Sequence, residues 1–119
     1  MTRNLPWWLP FGRVPSVSAT ELNEQLEGSS QPQILDVRTT LEWSRSHIAG
    51  SINVPITELR TSLTALDLDK KRPVVAICLS AHRSIPAVRL LSSRGFVDVV
   101  QLQGGMWSWW RKALPTQRG

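Results

Sequence analysis

The chain has one cysteine in 119 residues, no tyrosine and only two histidines. Each scarcity closes off a class of chemistry. A lone cysteine forms no internal disulfide and no CxxC redox pair, which fits a reducing, cytoplasmic compartment. Cys78 with His47 and His82 is too poor a ligand set for a structural zinc, and no metal or other cofactor is expected. Long apolar runs are also missing, and none approaches the roughly 20 residues that a membrane span requires. Pro6 and Pro10 break up the apolar start, so a cleaved secretory signal is not expected. What remains is an ordinary globular composition, 41% hydrophobic and 19% charged, at a length that suits one domain and a monomer.

Acidic residues are few, nine against 14 lysines and arginines, for a net charge of +5. That balance favours anionic partners: small oxyanions, acidic proteins, nucleic acid or a membrane surface. The one tight basic cluster, Lys70-Lys71-Arg72, has no stacking aromatics beside it and reads as a solvated loop, so nucleic acid is not the expected partner.

Residues 1–16 contain Pro6, Pro10 and Pro15 around Trp7, Trp8 and Phe11, which predicts an extended arm. Its aromatics either pack back on the domain or dock a partner or a membrane interface. The domain proper is expected over residues 17–114, with 115–119 as a short tail. Within it, Ser18-Ala19-Thr20-Glu21 and Thr39-Thr40-Leu41-Glu42 both have capping-box spacing and predict helix starts. The first helix stops at Gly28 and the second before Gly50. Ile56, Leu59, Leu63 and Leu66 mark another helix, and Ser84 to Arg94 a fourth with Pro86 in its first turn. Short strands are expected at Ile34–Val37, Ser51–Pro55, Val74–Ile77 and Val97–Leu102. The turn Gly104-Gly105 leads into a helix bearing Met106, Trp107, Trp109 and Trp110. Those three tryptophans cannot all face one core, so at least one should be exposed. Strands alternating with helices predict a mostly parallel sheet covered on both faces.

In such sheets ligands bind at the carboxyl ends of the strands. Cys78 lies at the end of the most apolar strand, followed by Leu79-Ser80-Ala81-His82-Arg83-Ser84 and a helix. Three features favour an ionised thiol there. The helix start contributes about 0.3–1 kcal/mol toward an anion, up to ~2 in favourable geometry. Successive amides from Leu79 to Arg83 can curl into an anion-binding nest. Arg83 adds a permanent positive charge and closes the ring. The competing reading is a buried structural cysteine packed as a small hydrophobe.

Four motifs in order give the chain a resemblance to the rhodanese family of sulfurtransferases, over about Val17 to Trp110. Leu35-Asp36-Val37-Arg38 with Glu42-Trp43 is similar to the family's LDVR segment and the glutamate-aromatic pair after it. Ser46-His47-Ile48-Ala49-Gly50-Ser51-Ile52-Asn53-Val54-Pro55 is similar to GHIxGAxNIP, with Ser46 in place of the first glycine. Cys78 to Ser84 corresponds to the C-x-x-G-x-R-[ST] active loop, and Gly104-Gly105-Met106 with Trp109 to GG-x-x-x-W. The resemblance implies a single α/β module, three-layered and doubly wound, on a mostly parallel five-stranded sheet. It implies that Cys78 takes sulfane sulfur from a donor such as thiosulfate or another persulfide and holds it as a persulfide. With no second cysteine, the acceptor thiol comes from outside the chain. Asp36 and Arg38 are expected in a supporting charge network behind the loop, or in purely structural pairing. His47 is read as a structural hydrogen-bonding residue. Ala81 departs from the family's glycine, and a positive φ there would strain it. Leu79 and His82 stand where thiosulfate users often carry a more basic side chain.

Two rivals follow. Cysteine-loop phosphatases place five residues between cysteine and arginine to surround phosphate, whereas Leu79 to His82 make four, a ring suited to a sulfur atom. The other rival is a low-activity binding or regulatory module of the same fold, in which Ala81 and the Trp-rich termini serve docking.

Overall fold

Both capping boxes form. Ser18 accepts from the Glu21 amide at 3.1 Å and starts α1 (Ala19–Glu27), while Thr39 accepts from the Glu42 amide at 3.2 Å and starts α2 (Thr40–Arg45). In each, the glutamate reaches back to the N-cap backbone, so two of the helix's first donors are satisfied locally. The structure, a computed structural model, describes residues 6–9, 12–80 and 82–119. Ala81, most of the arm's first residues and Phe11 lie outside those.

The four strands read from the sequence are present as β2 (Gln33–Asp36), β3 (Ile52–Asn53), β4 (Val74–Ile77) and β5 (Val99–Leu102). A fifth, β1 (Ser16–Val17), pairs with Gln101 and Leu102 of β5. All pairings are parallel, in the order β1-β5-β4-β2-β3. The sheet therefore takes in Ser16, which sequence reading placed at the end of the arm. Two residues beside Pro15 are too short a segment to show alternation.

β4 sits at the centre and is buried on both faces. Its period of two divides the core. Val74, Ala76 and Cys78 pack with Leu35, Val37, Ala87, Val88 and Leu91 on one face. Val75 and Ile77 pack with Leu22, Ile34, Ile48, Met106 and Trp109 on the other. The first face is covered by α3 (Ile56–Ser62) and α4 (Ser84–Ser93), the second by α1 and α5 (Gly105–Arg111). The helix expected over Ile56 to Leu66 ends at Ser62 and tightens into a 3₁₀ turn over Leu63–Ala65, which still buries Leu63.

Trp109 is the large anchor of α5, 1% exposed, with its indole N–H donating to the Pro115 carbonyl at 2.9 Å. Trp107 and Trp110 are exposed, as the crowding of three tryptophans on one helix required. The last residues return across α2: His47 and Gln117 exchange backbone hydrogen bonds and the Gly119 amide donates to Ser44. In the arm, Trp7 packs against the α3–α4 side of the core and the Leu9 carbonyl accepts from Arg89 at 2.8 Å, while Trp8 is exposed.

Gly105 is where this packing brings backbone against backbone. Its φ is +57°, and a side-chain carbon there would stand 2.7 Å from Leu79 backbone atoms as well as against the Cys78 carbonyl. Gly50 also has a positive φ, +80°, but opens onto empty space. Gly50→Ala should therefore cost only the left-handed backbone penalty, about 1–2 kcal/mol. Gly105→Ala should cost at least about 1 kcal/mol more, because the loop must also move. Equilibrium denaturation of both variants checks the difference.

Candidate active site

The β4 alternation decides where Cys78 points. It continues the Val74–Ala76 side, toward α4, and is 1% exposed. Its Sγ donates to Ser84 Oγ at 3.4 Å, and Ser84, fully buried at the first position of α4, donates in turn to Gln101 Oε1 on β5 at 2.6 Å. The N-cap residue of α4, Arg83, makes no side-chain capping bond. The positive end of that helix therefore faces the loop.

The loop backbone is held from the other side of the sheet. The amides of Met106 and Trp107, at the start of α5, donate to the carbonyls of Cys78 and Leu79 at 2.9 and 3.0 Å. A trans peptide sets the carbonyl of one residue antiparallel to the N–H of the next. With both carbonyls drawn toward α5, the N–H groups of Leu79 and Ser80 point away from it. This is how the chain orients amides in a loop whose side chains supply little charge.

Arg83 ends the loop, but its guanidinium is engaged. It forms a two-pronged ion pair with Glu42 of α2, at 2.6 and 3.0 Å, with both side chains roughly 30% exposed. The Arg83 hydrogen bonds, with smaller help from Thr39, lower the Glu42 carboxyl from 4.5 to about 2 against the opposing cost of its burial. Glu42 in turn holds the Arg83 guanidinium above its ordinary value, with a lesser electrostatic contribution from Cys78. The positive charge near the sulfur is thus largely neutralised by a carboxylate.

Behind the loop, Asp36 and Arg38 form a second pair, each 1% exposed, at distances of 2.7 to 3.1 Å. Arg38 also donates to the carbonyls of Ser46 at 2.7 Å and Glu42 at 3.4 Å, and Asn53 clasps the carbonyls of Asp36 and Arg38. Asp36 is the cross-strand partner of Ile77, the residue before Cys78. His47 is buried, stacked on Trp43 at 3.8 Å, with Nδ1 against the Trp43 carbonyl at 2.8 Å. It holds α2 to the following turn, away from the sulfur's own hydrogen-bond chain.

The structure thus brings Cys78, Leu79, Arg83 and Ser84 into one loop flanked by α4 and α5, with Ser80 and His82 within that loop. Leu79 and Ser80 are half-buried and His82 is exposed. The expectation for Ala81 lies outside the described residues. Sequence reading missed two participants. Glu42 stood in a capping box, and one local role concealed a second one 41 residues away. Gln101 reaches Ser84 only across the sheet, and nothing in a strand of Val, Gln and Leu marks it.

A family model described as the Rhodanese-like domain matches residues 18–112. Among curated proteins, the chain is 32% identical over 107 residues to the thiosulfate sulfurtransferase GlpE of Pseudomonas fluorescens (strain Pf-5), covering 90% of this chain and 91% of that one. It is 29% identical over 96 residues to the putative sulfur carrier protein YrkF of Bacillus subtilis, covering 81% of this chain; it spans only about half, 51%, of YrkF. Among solved structures, a rhodanese-related protein from Thermoplasma volcanium is 34% identical, with a TM-score of 0.77 over 87% of this chain and 98% of that chain.

The Glu42–Arg83 pair makes a pH prediction of definite sign. Its folded carboxyl lies below the unfolded one, so its stabilisation is complete above about 4.5 and is lost as pH falls toward about 2. Denaturation of wild type and Glu42→Gln from pH 6 to pH 2 should show a stability difference that shrinks across that window.

Proposed function

This chain belongs to the rhodanese-like family, and we propose that it is a sulfurtransferase that carries sulfane sulfur on Cys78. The observation that carries this reading is the position of the sulfur. It ends the central strand, bonded to Ser84 at the start of α4, inside a loop whose carbonyls are drawn outward by α5. Leu79, Ser80, Ala81, His82, Arg83 and Ser84 form the substrate-binding loop, and Asp36 and Arg38 support it.

The transfer has two balanced halves. The Cys78 thiolate attacks the outer sulfur of a donor, a new S–S bond forms, and the donor's S–S bond breaks with its electron pair leaving on the departing group. That group is sulfite when thiosulfate donates, or a thiolate when another persulfide donates. An external thiolate then attacks the outer sulfur of the Cys78 persulfide, taking it and returning Cys78 as thiolate. No net electrons enter or leave. The persulfide anion is stabilised by preorganised amides of the loop and by the start of α4. Cys78 is 1% exposed, so the donor is a small anion or a thin extended tail that reaches in. Paired with Glu42, Arg83 pulls less strongly on a dianion, which favours an organic persulfide over thiosulfate as donor. The single cysteine supports a reducing, cytoplasmic setting, and the reading needs no second copy of the chain.

A second reading has its own observation. The Glu42-paired Arg83 and the exposed indoles of Trp107 and Trp110 on α5 suit a binding or regulatory module that docks a protein and turns over slowly.

Intact-mass analysis separates the two. After exposure to thiosulfate, mercaptopyruvate or a low-molecular-weight persulfide, the protein should gain one sulfur atom, and Cys78→Ser should gain none. A thiol that stays free and unmodified with every donor would leave the docking module as the answer.

A further inference from the structure

Among the hydrogen bonds of Ser84 are two whose directions conflict with the chemistry asked of the sulfur. At rest the Cys78 thiol donates to Ser84 Oγ at 3.4 Å, and Ser84 passes its own proton on to Gln101 Oε1 at 2.6 Å. A thiolate has no proton to donate and needs to accept one. For Ser84 to stabilise it, the hydroxyl must turn and donate to Sγ. That turn removes the proton from Gln101 Oε1 and leaves two acceptors facing each other at 2.6 Å, unless the amide also turns. A carboxamide has a donor and an acceptor at its two ends, so rotation about its last bond presents Nε2–H to Ser84 Oγ in place of Oε1. Gln101 is half-buried and stands on β5 in register with Ala76 and Ser16, close enough to make the contact and open enough to rotate.

We propose that Gln101 is a positioning residue whose amide flip reverses the Cys78–Ser84–Gln101 hydrogen-bond chain when the thiol ionises. The proposal rests on Cys78 being the nucleophile. The ionising proton leaves to water, the Ser84 proton only changes direction, and no bond to carbon or sulfur is broken. Gln101 therefore acts through Ser84 and touches no substrate. Glutamate at this position would hold the Ser84 proton permanently. An apolar residue would supply neither the acceptor at rest nor the donor that supports the reversed chain.

Other charged groups on the loop and on the elements around it must be separated from this effect. They are Arg83 at the start of α4, its partner Glu42 from α2, Asp36 with Arg38 at the end of β2, and His82 within the loop. The first turn of α5 and the adjoining part of β5 bring no charge.

The test is the pH profile of Cys78 alkylation by iodoacetamide, which needs no sulfur donor. Gln101→Met, near in shape and without a strong hydrogen-bonding end, should move the midpoint to higher pH, because the charge-assisted reversed chain loses its Nε2–H donor. Were Gln101 a fixed acceptor that never turns, the same substitution would move it lower. Gln101→Glu should move it to higher pH by roughly one unit, about a tenfold loss of rate at a fixed pH below the midpoint. Both are then repeated with Ser84→Ala. There the Gln101→Met shift should vanish, and the Gln101→Glu shift should shrink to the through-space effect of its charge. A Gln101→Met midpoint identical to or below that of wild type, or a shift that persists without the Ser84 hydroxyl, overturns the proposal. If Gln101→Met fails to fold, the dependence of the Gln101→Glu shift on Ser84 decides alone. Failure of the sulfurtransferase reading shows up separately, as a reactive Cys78 that takes up no sulfur.

Discussion

The two hydrogen bonds from the start of α5 to the carbonyls of Cys78 and Leu79 are what the rest of the site depends on. The first amides of any helix lack partners inside that helix, and the carbonyls of a tight loop lack partners inside that loop. Here each set satisfies the other. Their approach requires residue 105 to have no side chain, and requires α5 to sit close to the sheet. Trp109 secures the second condition. It is buried among Leu22, Ile48 and Met106 and tied to the Pro115 carbonyl, so the anchor three positions past Met106 fixes where the helix begins. Core packing on one face of the sheet thereby sets peptide orientation around a sulfur that points to the other face.

The charged residues act in a chain rather than singly. Taking Asp36 and Arg38 out of water is costly, and it is offset by three short contacts between them and by the Ser46 and Glu42 carbonyls. Breaking one side would strand the other charge in the core. The pair's value lies in what it joins: Arg38 grips both ends of α2, so the helix is fixed against the end of β2. Glu42, near the start of α2, then arrives beside Arg83 already capped by Thr39. The Glu42–Arg83 pair is itself nearly a third exposed and weakly stabilising, but it draws the end of the loop toward α2.

Local signals were the legible ones. Capping boxes at Ser18 and Thr39, the unbroken run Val74–Ile77 and the cysteine at its end all lie within a few residues of the feature they determine, and the resemblance supplied the five-stranded sheet. The strand β1 was not legible, because two residues after Pro15 have no period and owe their place to β5. Leu63 shares the apolar spacing of α3 yet lies in a 3₁₀ turn, since burial of its side chain is compatible with either geometry. Glu42 and Gln101 escaped for the same reason. Each makes its decisive contact with a residue far along the chain, and a capping glutamate or a strand glutamine is unremarkable where it stands.

A net charge of +5 suggests that side-chain cations draw an anion to the sulfur. The geometry assigns that work elsewhere. Arg38 is committed to Asp36, and Arg83 to Glu42, so the two cations placed nearest the loop by sequence each carry an equal negative charge beside them. What remains unopposed is dipolar: the start of α4, and the amides of Leu79 and Ser80 turned away from α5. Dipoles fall off with distance faster than charges, and they act only when aimed. A loop that relies on them tolerates little movement, which is why the fit of Gly105 against Leu79 sets the peptide orientation around Cys78 as firmly as any charged residue does.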